Sequence, residues 1–357
     1  TVLKRYSDFL WLRETLLVAC PGIVVPPMPE KAVVGRFNTE FIQFRQRALQ
    51  AFAQRLTRQP KLLLNGGCRP SHAPHTRHHA PFPCAEHTVK FLTASEPEWA
   101  THKAAHKNMG KSAGFLSWVS SKGSSLMSSF GGSGGAKTTE DLSFEEIANY
   151  VSELAPLLQS VLNHTQALIG RRRELAMGLY EFGLAFSMLG QSEADALGSA
   201  LGKFGTVADK LSVFTNTHAE GERLFFEETL RDQIRVISAV KEALQQRDAK
   251  NAEYRGALAD LESKRASVMK LKGVPGKDVQ RNKAEQEVTA AQANVERARE
   301  SYDEVARTVL EEMDRFKAEK FQDFRGLILD FVNLQIAYSK KLEQAWSSLI
   351  TELRKVR

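Results

Sequence analysis

The chain of 357 residues lacks the features that mark several classes of protein. It has no uninterrupted apolar run of about 18 residues, the length that a membrane-spanning helix needs, so we predict no transmembrane segment. Its start, Thr1 to Tyr6, has no apolar stretch typical of a secretory signal, and because it does not begin with methionine we expect an N-terminal truncation. Its only cysteines, Cys20, Cys68 and Cys84, are too few and too scattered for a disulfide framework, which favours a reducing, cytosolic compartment.

Catalytic signatures are missing as well. We find no nucleophile paired with a base, no glycine-rich phosphate loop and no paired acidic motif, so we expect no enzymatic activity and no cofactor. One cluster of cysteines and histidines follows no established spacing of zinc ligands, and we expect no metal there. Its members are Cys68, His72, His75, His78, His79, Cys84 and His87.

The positive charge is concentrated near the start of the chain. Residues 1–111 hold 16 Lys and Arg against 7 Asp and Glu, a net charge of +9, which leaves −2 for residues 112–357 out of the total of +7. A basic head on a nearly neutral body indicates an anionic partner for the head. A phosphoinositide, an anionic membrane and a nucleic acid all remain open on charge alone.

The first part of the chain is of mixed type. We predict a strand end at Thr1 to Tyr6, a helix over about 7–19 and a second helix over about 38–57, whose apolar residues recur at helical spacing. Residues 62–88 have almost no periodic apolar residues and predict a disordered insertion. A short helical piece, 88–92, follows it.

Residues 108–137 are rich in Gly and Ser but carry interspersed apolar side chains. They predict either an amphipathic helix or a linker with incidental hydrophobic residues. The residues that such a helix would insert into a membrane are Phe115, Leu116, Trp118, Val119, Leu126, Met127 and Phe130.

From about Ser143 to the end, the pattern predicts three long helices. The last carries apolar residues alternately three and four apart from Val288 to Leu353, roughly 65 residues or about 100 Å at the usual rise. The middle and last helices join at a tight break, 272–277. The apolar, aromatic-rich part from Phe316 to Trp346 exceeds what one chain is expected to cover, so we predict a dimer.

Three motifs in the first part combine cations with aromatic rings around a proline-rich loop. They are Lys4-Arg5-Tyr6-Ser7-Asp8-Phe9, Pro26-Pro27-Met28-Pro29-Glu30-Lys31 and Phe41-Ile42-Gln43-Phe44-Arg45-Gln46-Arg47-Ala48-Leu49. A phosphorylated inositol is bound by such a set, because Arg and Lys hold phosphates and an aromatic face packs on the sugar ring. The alternative is that these are ordinary surface charges, with the aromatic rings in the core. In order and spacing the motifs resemble the PX domain.

The resemblance implies a role for each matching residue. Arg5 would hold the 3-phosphate, Tyr6 would stack under the inositol ring, Lys31 would meet the 1-phosphate, and Arg45 would bind ring hydroxyls or neighbouring phosphates. The resemblance also implies that three side chains insert toward the acyl chains of the lipid. They are Val24, Val25 and Met28. PX domains have two further strands before this point, so the expected module is an α+β PX domain truncated at its N-terminus.

The helical part resembles the BAR domain of sorting nexins. The matching residues are Arg171-Arg172-Arg173-Glu174-Leu175 and Leu179-Tyr180-Glu181-Phe182-Gly183-Leu184-Ala185-Phe186. The resemblance implies an all-α, elongated three-helix bundle that dimerises and lays basic residues on anionic lipid. The alternative for these cations is a solvated helix face. The candidates at the turn between the last two helices are Lys264, Arg265, Lys270, Lys272, Lys277, Arg281 and Lys283.

Together these resemblances imply a PX–BAR sorting nexin with a partial PX domain at 1–95, a linker at 96–140 and a BAR domain at 141–357. The family implies recognition of phosphatidylinositol 3-phosphate on the cytosolic face of endosomes, curvature sensing and retrograde transport. The implied partners are a second copy or a related sorting nexin and the retromer core, and no nucleic acid is expected. The alternative is a lipid-independent, dimeric coiled-coil scaffold.

Overall fold

The computed structural model describes residues 2–29, 39–63, 83–106, 139–193, 195–272 and 277–356. These residues form helices joined by short connections, and a π-helical turn, Glu222–Glu227, leads from the seventh helix into the eighth. The helices are α1 (Tyr6–Ala19), α2 (Thr39–Arg58), α3 (Pro60–Leu63), α4 (Pro83–Thr93), α5 (Glu96–Ala105), α6 (Thr139–Ser192), α7 (Ala196–Gly221), α8 (Glu228–Leu271) and α9 (Asp278–Leu353).

None of the described residues lies in a β-strand, so the α+β character predicted for the first part is not shown by the portion that the structure describes. The predicted strand end, residues 2–5, leads directly into α1. Arg5 has an extended backbone (φ −90°, ψ 160°), and its N–H is taken up by Asp8 Oδ2 at 2.8 Å rather than by a neighbouring strand. This bond satisfies one of the free donors at a helix start and fixes where α1 begins.

The chain divides into two compact units. The first unit comprises Thr1–Val151 and Arg235–Phe316, and the second comprises Ser152–Ile234 and Lys317–Arg357. The first unit therefore joins the N-terminal helices to parts of the long helices α8 and α9.

In the first unit, α1 to α5 enclose an apolar core. Leu12 and Leu16 of α1 pack with Phe52 of α2, Phe91 of α4 and Trp99 of α5. The predicted helices over 7–19 and 38–57 are confirmed as α1 and α2. Their apolar residues recur at helical spacing because they face this core.

The structure differs from the prediction at both ends of the insertion expected over 62–88. Leu62 lies in α3 and is buried, and α4 begins at Pro83 with Cys84 and His87 buried. Cys20 and Cys84 form a disulfide with their Cα atoms 6.2 Å apart, a pairing that the expectation of scattered cysteines missed. Trp99 of α5, which falls within the expected linker, belongs to the core.

The loop after α1 packs inward. Val24 and Val25 are buried, and Met28 packs against the core. The predicted insertion of these three side chains into a membrane is therefore wrong for this structure. Gly22 makes the turn with φ +87°, and a Cβ there would lie 3.0 Å from the carbonyl oxygen of Val305 in α9. Glycine suits this position both by its positive φ and by its small size.

Buried polar groups attach this loop to α8 and α9. Gln246 of α8 accepts a hydrogen bond from the N–H of Gly22 at 2.7 Å and donates to the carbonyl of Leu17 at 3.0 Å. Glu312 of α9 accepts from the N–H of Val24 at 3.1 Å and from the amide of Gln59 at 2.7 and 2.8 Å. These bonds satisfy backbone groups that the loop would otherwise bury unpaired.

Arg247 of α8 organises the start of α6. Its buried guanidinium donates to Tyr302 Oη at 2.7 Å, lies 4.1 Å from the ring centre of Phe144 and pairs with Asp141 at 3.3 Å. In the same unit the buried face of α9 confirms the predicted apolar seam. It is formed by Ala291, Tyr302, Val305, Val309, Met313 and Phe316.

The second unit has its own apolar clusters and a buried polar centre. Leu162, Leu230 and Leu327 form one cluster, joined by half-buried Phe226, Ile234 and Phe324. The carboxylate of Glu222 pairs with Arg172 Nε at 2.9 Å and accepts a hydrogen bond from Gln335 at 2.6 Å. A buried charge with these partners holds α6, the π-helical turn and α9 together.

Candidate functional site

The structure brings together two of the four residues expected to bind a phosphoinositide. The guanidinium carbon of Arg45 on α2 lies 4.4 Å from the ring centre of Tyr6 and equally far from that of Phe41. The hydroxyl of Tyr6 donates to the carbonyl of Pro29 at 2.9 Å and so orients the ring. An inositol ring that stacks on Tyr6 would have to use the other face of the ring or displace Arg45.

Arg5 takes part in a different contact. Its guanidinium pairs with Glu96 of α5 at 2.8 Å, with 79% of the arginine side chain and 70% of the glutamate side chain exposed. An ion pair this exposed contributes at most about 1 kcal/mol, so an incoming phosphate can compete with the carboxylate. The fourth expected residue, Lys31, lies outside the described residues.

A groove runs beside Arg45. It encloses about 560 Å³ and is lined by Lys4, Phe9, Phe41, Ile42, Arg45, Gln46, Leu49, Gln50 and Ala53. Lys4 donates to the carbonyl of Ala94 at 2.9 Å, and burial of its ammonium lowers its pKa. Sequence reasoning did not assign Lys4 a role, although it stands next to Arg5. The groove thus has cations from α2 and from the segment before α1 over an apolar floor.

The cations predicted at the turn between α8 and α9 flank that turn. Lys270, Lys272, Lys277 and Lys283 are exposed, whereas Arg281 is half-buried and lies 3.5 Å from both Asp278 and Glu285. Among the other candidates, Lys264 pairs with Asp260 at 2.9 Å, and Arg265 lines a hollow with residues of both helices. The exposed lysines carry the positive charge that is open to a partner.

Two apolar residues at the same turn were missed by sequence reasoning. Met269 at the end of α8 is 69% exposed, and Val279 at the start of α9 is 84% exposed. Met269 precedes Lys270, and Val279 follows Lys277 by two residues. An apolar side chain within two residues of a lysine at a helix turn is the signal that could have identified them, because such combinations suit a lipid interface.

The second unit exposes a regular apolar stripe along α6. Five residues spaced seven apart are each 42–54% exposed, and they are Val161, Leu168, Leu175, Phe182 and Leu189. On α9 the exposed apolar residues of this unit are Phe321, Ile328, Leu329, Val332, Ile336, Trp346 and Ile350. A seven-residue repeat keeps side chains on one helix face, which is the spacing of helix–helix seams.

The residues expected to form an amphipathic helix, Phe115, Leu116, Trp118 and Val119, lie outside the described residues. Among the described helices, none combines the length and apolar character needed to cross a bilayer.

Comparison with known families identifies both parts of the chain. A model of the PX domain matches residues 1–66, and a model described as Vps5 C terminal like matches residues 119–352. The second match covers more than half of the chain.

Curated relatives align along the whole chain. Sorting nexin 1 of Arabidopsis thaliana is 27% identical over 360 residues, which covers 99% of this chain and 83% of the relative. Sorting nexin-2 of Bos taurus is 26% identical over 370 residues, which covers 100% of this chain but 66% of the relative. The chain thus spans just under two thirds of the length of this mammalian relative.

A solved structure has the same fold. The cryo-EM structure of the SNX-BAR Mvp1 tetramer matches with a TM-score of 0.59 and 17% sequence identity, covering 98% of this chain and 89% of that one.

Proposed function

The chain belongs to the PX–BAR sorting nexin family, and on this premise we propose that it binds phosphoinositide membranes peripherally and takes part in endosomal sorting and retrograde transport. The observation that carries the proposal is the arrangement of Arg45 over Tyr6 beside an open groove. An arginine fork next to an aromatic face suits a phosphorylated sugar ring.

In the proposed complex the headgroup approaches the groove from its exposed side. Arg45 binds ring hydroxyls or a phosphate, and Arg5 leaves Glu96 to hold the 3-phosphate. Lys31 meets the 1-phosphate, and Lys4 adds a cation at the groove. Phosphatidylinositol 3-phosphate is the proposed lipid, which assigns the protein to the cytosolic face of endosomes.

The helical part is proposed to add dimerisation and a second lipid contact. The stripe on α6 has the spacing of a helix–helix seam and would be covered by a second copy or by a related sorting nexin. The exposed lysines at 270, 272, 277 and 283 would meet anionic lipid, each contributing about 1 kcal/mol near the surface. Arg281 would contribute less because its acidic neighbours neutralise it. The retromer core is the proposed protein partner.

Co-sedimentation with small liposomes tests the lipid proposal. The vesicles contain phosphatidylinositol 3-phosphate or, at equal net charge, phosphatidylserine. Loss of one charge-assisted hydrogen bond costs about 1.5–3 kcal/mol. The variants Arg5→Ala and Arg45→Gln should therefore bind the phosphoinositide vesicles about 10- to 100-fold more weakly. Arg58→Ala, an exposed arginine at the end of the same helix α2, is the matched control and should bind normally.

Two outcomes would contradict the proposal. Equal binding to both vesicle types would assign attachment to the helical part alone. A dimer that binds neither vesicle would favour the lipid-independent scaffold, which the exposed stripe on α6 also fits.

A further inference from the structure

Three histidines of the N-terminal core meet at one point, and none of them lines the groove. They are His87 of α4, His102 of α5 and His106, the residue that caps α5. One nitrogen of each imidazole lies within 4.8 Å of the corresponding atoms of the other two. His87 Nδ1 and His102 Nε2 are 2.9 Å apart.

The fold places these rings together for clear reasons. His102 and His106 are four residues apart and therefore lie on one face of a helical turn. His87 reaches the same point from α4, and α4 and α5 are neighbours in the core. The ring of Trp99 stacks on His102 at 5.6 Å, and Trp11 meets His87 and His102 edge-on at 6.0 Å. The aromatic rings thus hold the imidazoles in fixed orientations.

The free nitrogens also fit coordination of a metal. His106 Nδ1 lies 2.9 Å from the carbonyl oxygen of His102, so it carries the hydrogen and leaves Nε2 with its lone pair. At a Zn–N distance of about 2.0–2.1 Å, two tetrahedral ligand atoms lie about 3.3 Å apart. The observed 2.9 Å between His87 and His102 therefore requires a small outward movement of these rings, and the spread of up to 4.8 Å among the three nitrogens requires an inward movement elsewhere in the cluster. The hydrogen between these two nitrogens would move to the far nitrogen of one ring.

We propose that His87, His102 and His106 form a binding site for one divalent transition-metal cation, with Zn²⁺ as the ion that the ligands fit best. Imidazole nitrogen suits Zn²⁺ as well as Cu, Fe and Ni, and three protein ligands with a fourth tetrahedral position for water form a common arrangement for Zn²⁺. Glu86 on α4 acts electrostatically on His87 and His102 and adds a negative charge near the site. The bound ion would link α4 to α5.

The test must separate this site from the other histidines of the chain. Four of them, His72, His75, His78 and His79, stand close together in the sequence and can bind metal ions without a folded site. The background for all measurements is therefore the full chain with these four changed to Ala. Zn²⁺ binding is measured by calorimetry, and the spectrum of bound Co²⁺ reports the ligand type.

We expect this background protein to bind one Zn²⁺ per chain, with a raised melting temperature and a Co²⁺ spectrum without thiolate bands. Adding His106→Gln should weaken binding at least about 100-fold, because loss of even an outer-sphere partner costs 10- to 100-fold. His106 is only half-buried, so this variant should keep its circular dichroism spectrum. His164→Ala, an exposed histidine on α6, is the control and should bind normally.

Three results would overturn the proposal. The first is loss of binding in the background protein, which would assign the metal to the four removed histidines. The second is a folded His106→Gln variant with unchanged affinity. The third is a thiolate band in the Co²⁺ spectrum, which would assign the metal to cysteine.

Discussion

Replacing Glu312 by alanine should lower the stability of the first unit by about 3–5 kcal/mol, the usual cost of removing one member of a buried charged pair. The carboxylate is only 2% exposed and accepts hydrogen bonds from the amide of Gln59 and the N–H of Val24. It also pairs with Arg315 at 2.6 Å. Each buried donor that loses its acceptor costs about 1–3 kcal/mol. The loss at the two donors, Gln59 and Val24, together is therefore of the same size as the cost of removing one member of a buried charged pair.

Urea denaturation followed by tryptophan fluorescence measures this loss. Changing Trp118 and Trp346 to Phe leaves Trp11 and Trp99, both packed in the N-terminal core, as the only reporters. Their transition should move to lower urea in Glu312→Ala with an unchanged slope, since the slope depends on the surface that unfolding exposes.

The neighbouring residue Glu311 is the matched control. It is 54% exposed and pairs with Lys61, so Glu311→Ala should cost less than about 1 kcal/mol. A loss below 1 kcal/mol in Glu312→Ala, or equal losses in the two variants, would refute the idea that buried polar groups hold the N-terminal helices to α9.

Three further predictions concern other parts of the molecule. Leu168→Glu with Leu175→Glu should raise the dissociation constant of the proposed dimer at least about 100-fold by placing charges in the seam, as measured by analytical ultracentrifugation. Burial alone would raise the pKa of Asp8, but hydrogen bonds from Lys103 and the backbone of Arg5 outweigh it and lower the pKa below its usual value. Asp8 should therefore stabilise the fold above its unfolded pKa, and the gap in melting temperature to Asp8→Asn should shrink as pH falls from about 5 toward 2. Val279→Ser should weaken liposome binding by about 1 kcal/mol or less per chain if this side chain enters lipid, as measured by co-sedimentation.

Each of these has a control. Leu142→Glu changes an exposed apolar residue of α6 in the first unit and should leave dimerisation intact. Asp314→Asn changes an exposed aspartate of α9, and the gap in melting temperature that it causes should not shrink comparably between pH 5 and 2. Val213→Ser changes an exposed valine of α7 and should not alter liposome binding. A monomeric Leu142→Glu variant would contradict the assignment of the seam. A pH-independent effect of Asp8→Asn would contradict the lowered pKa of Asp8, and equal losses in both valine variants would contradict the lipid contact of Val279.

Local patterns predicted the helices well. The apolar residues of α2 and α9 recur at helical spacing, and the structure buries that face at Phe52 and Leu56 of α2 and, in the first unit, from Ala291 to Phe316 of α9. The motif around Tyr6 and Arg45 could also be identified from the sequence, because it depends on residue order. The structure brings these two side chains together.

Packing between residues far apart in the sequence could not be predicted from the same local patterns. Val24 looks like part of an exposed proline loop until α9 is placed beside it, because the carboxylate that accepts its N–H belongs to Glu312, 288 positions later. The pairing of Cys20 with Cys84 across 64 residues has the same cause. For the three histidines, the four-residue spacing of His102 and His106 was the available signal, and His87 joins them only through the packing of α4 and α5.

The attachment of the loop after α1 to Gln246 and Glu312 bears on how the protein can be dissected. A fragment that ends before α6 would leave the N–H groups of Gly22 and Val24 and the carbonyl of Leu17 without their partners, which are on the missing helices. A fragment that contains only the long helices would keep Glu312 but lose Gln59 and the N–H of Val24. We therefore expect each piece to be less stable alone than in the whole chain, so a lipid-binding defect of an isolated N-terminal fragment would reflect lost stability as well as affinity for lipid.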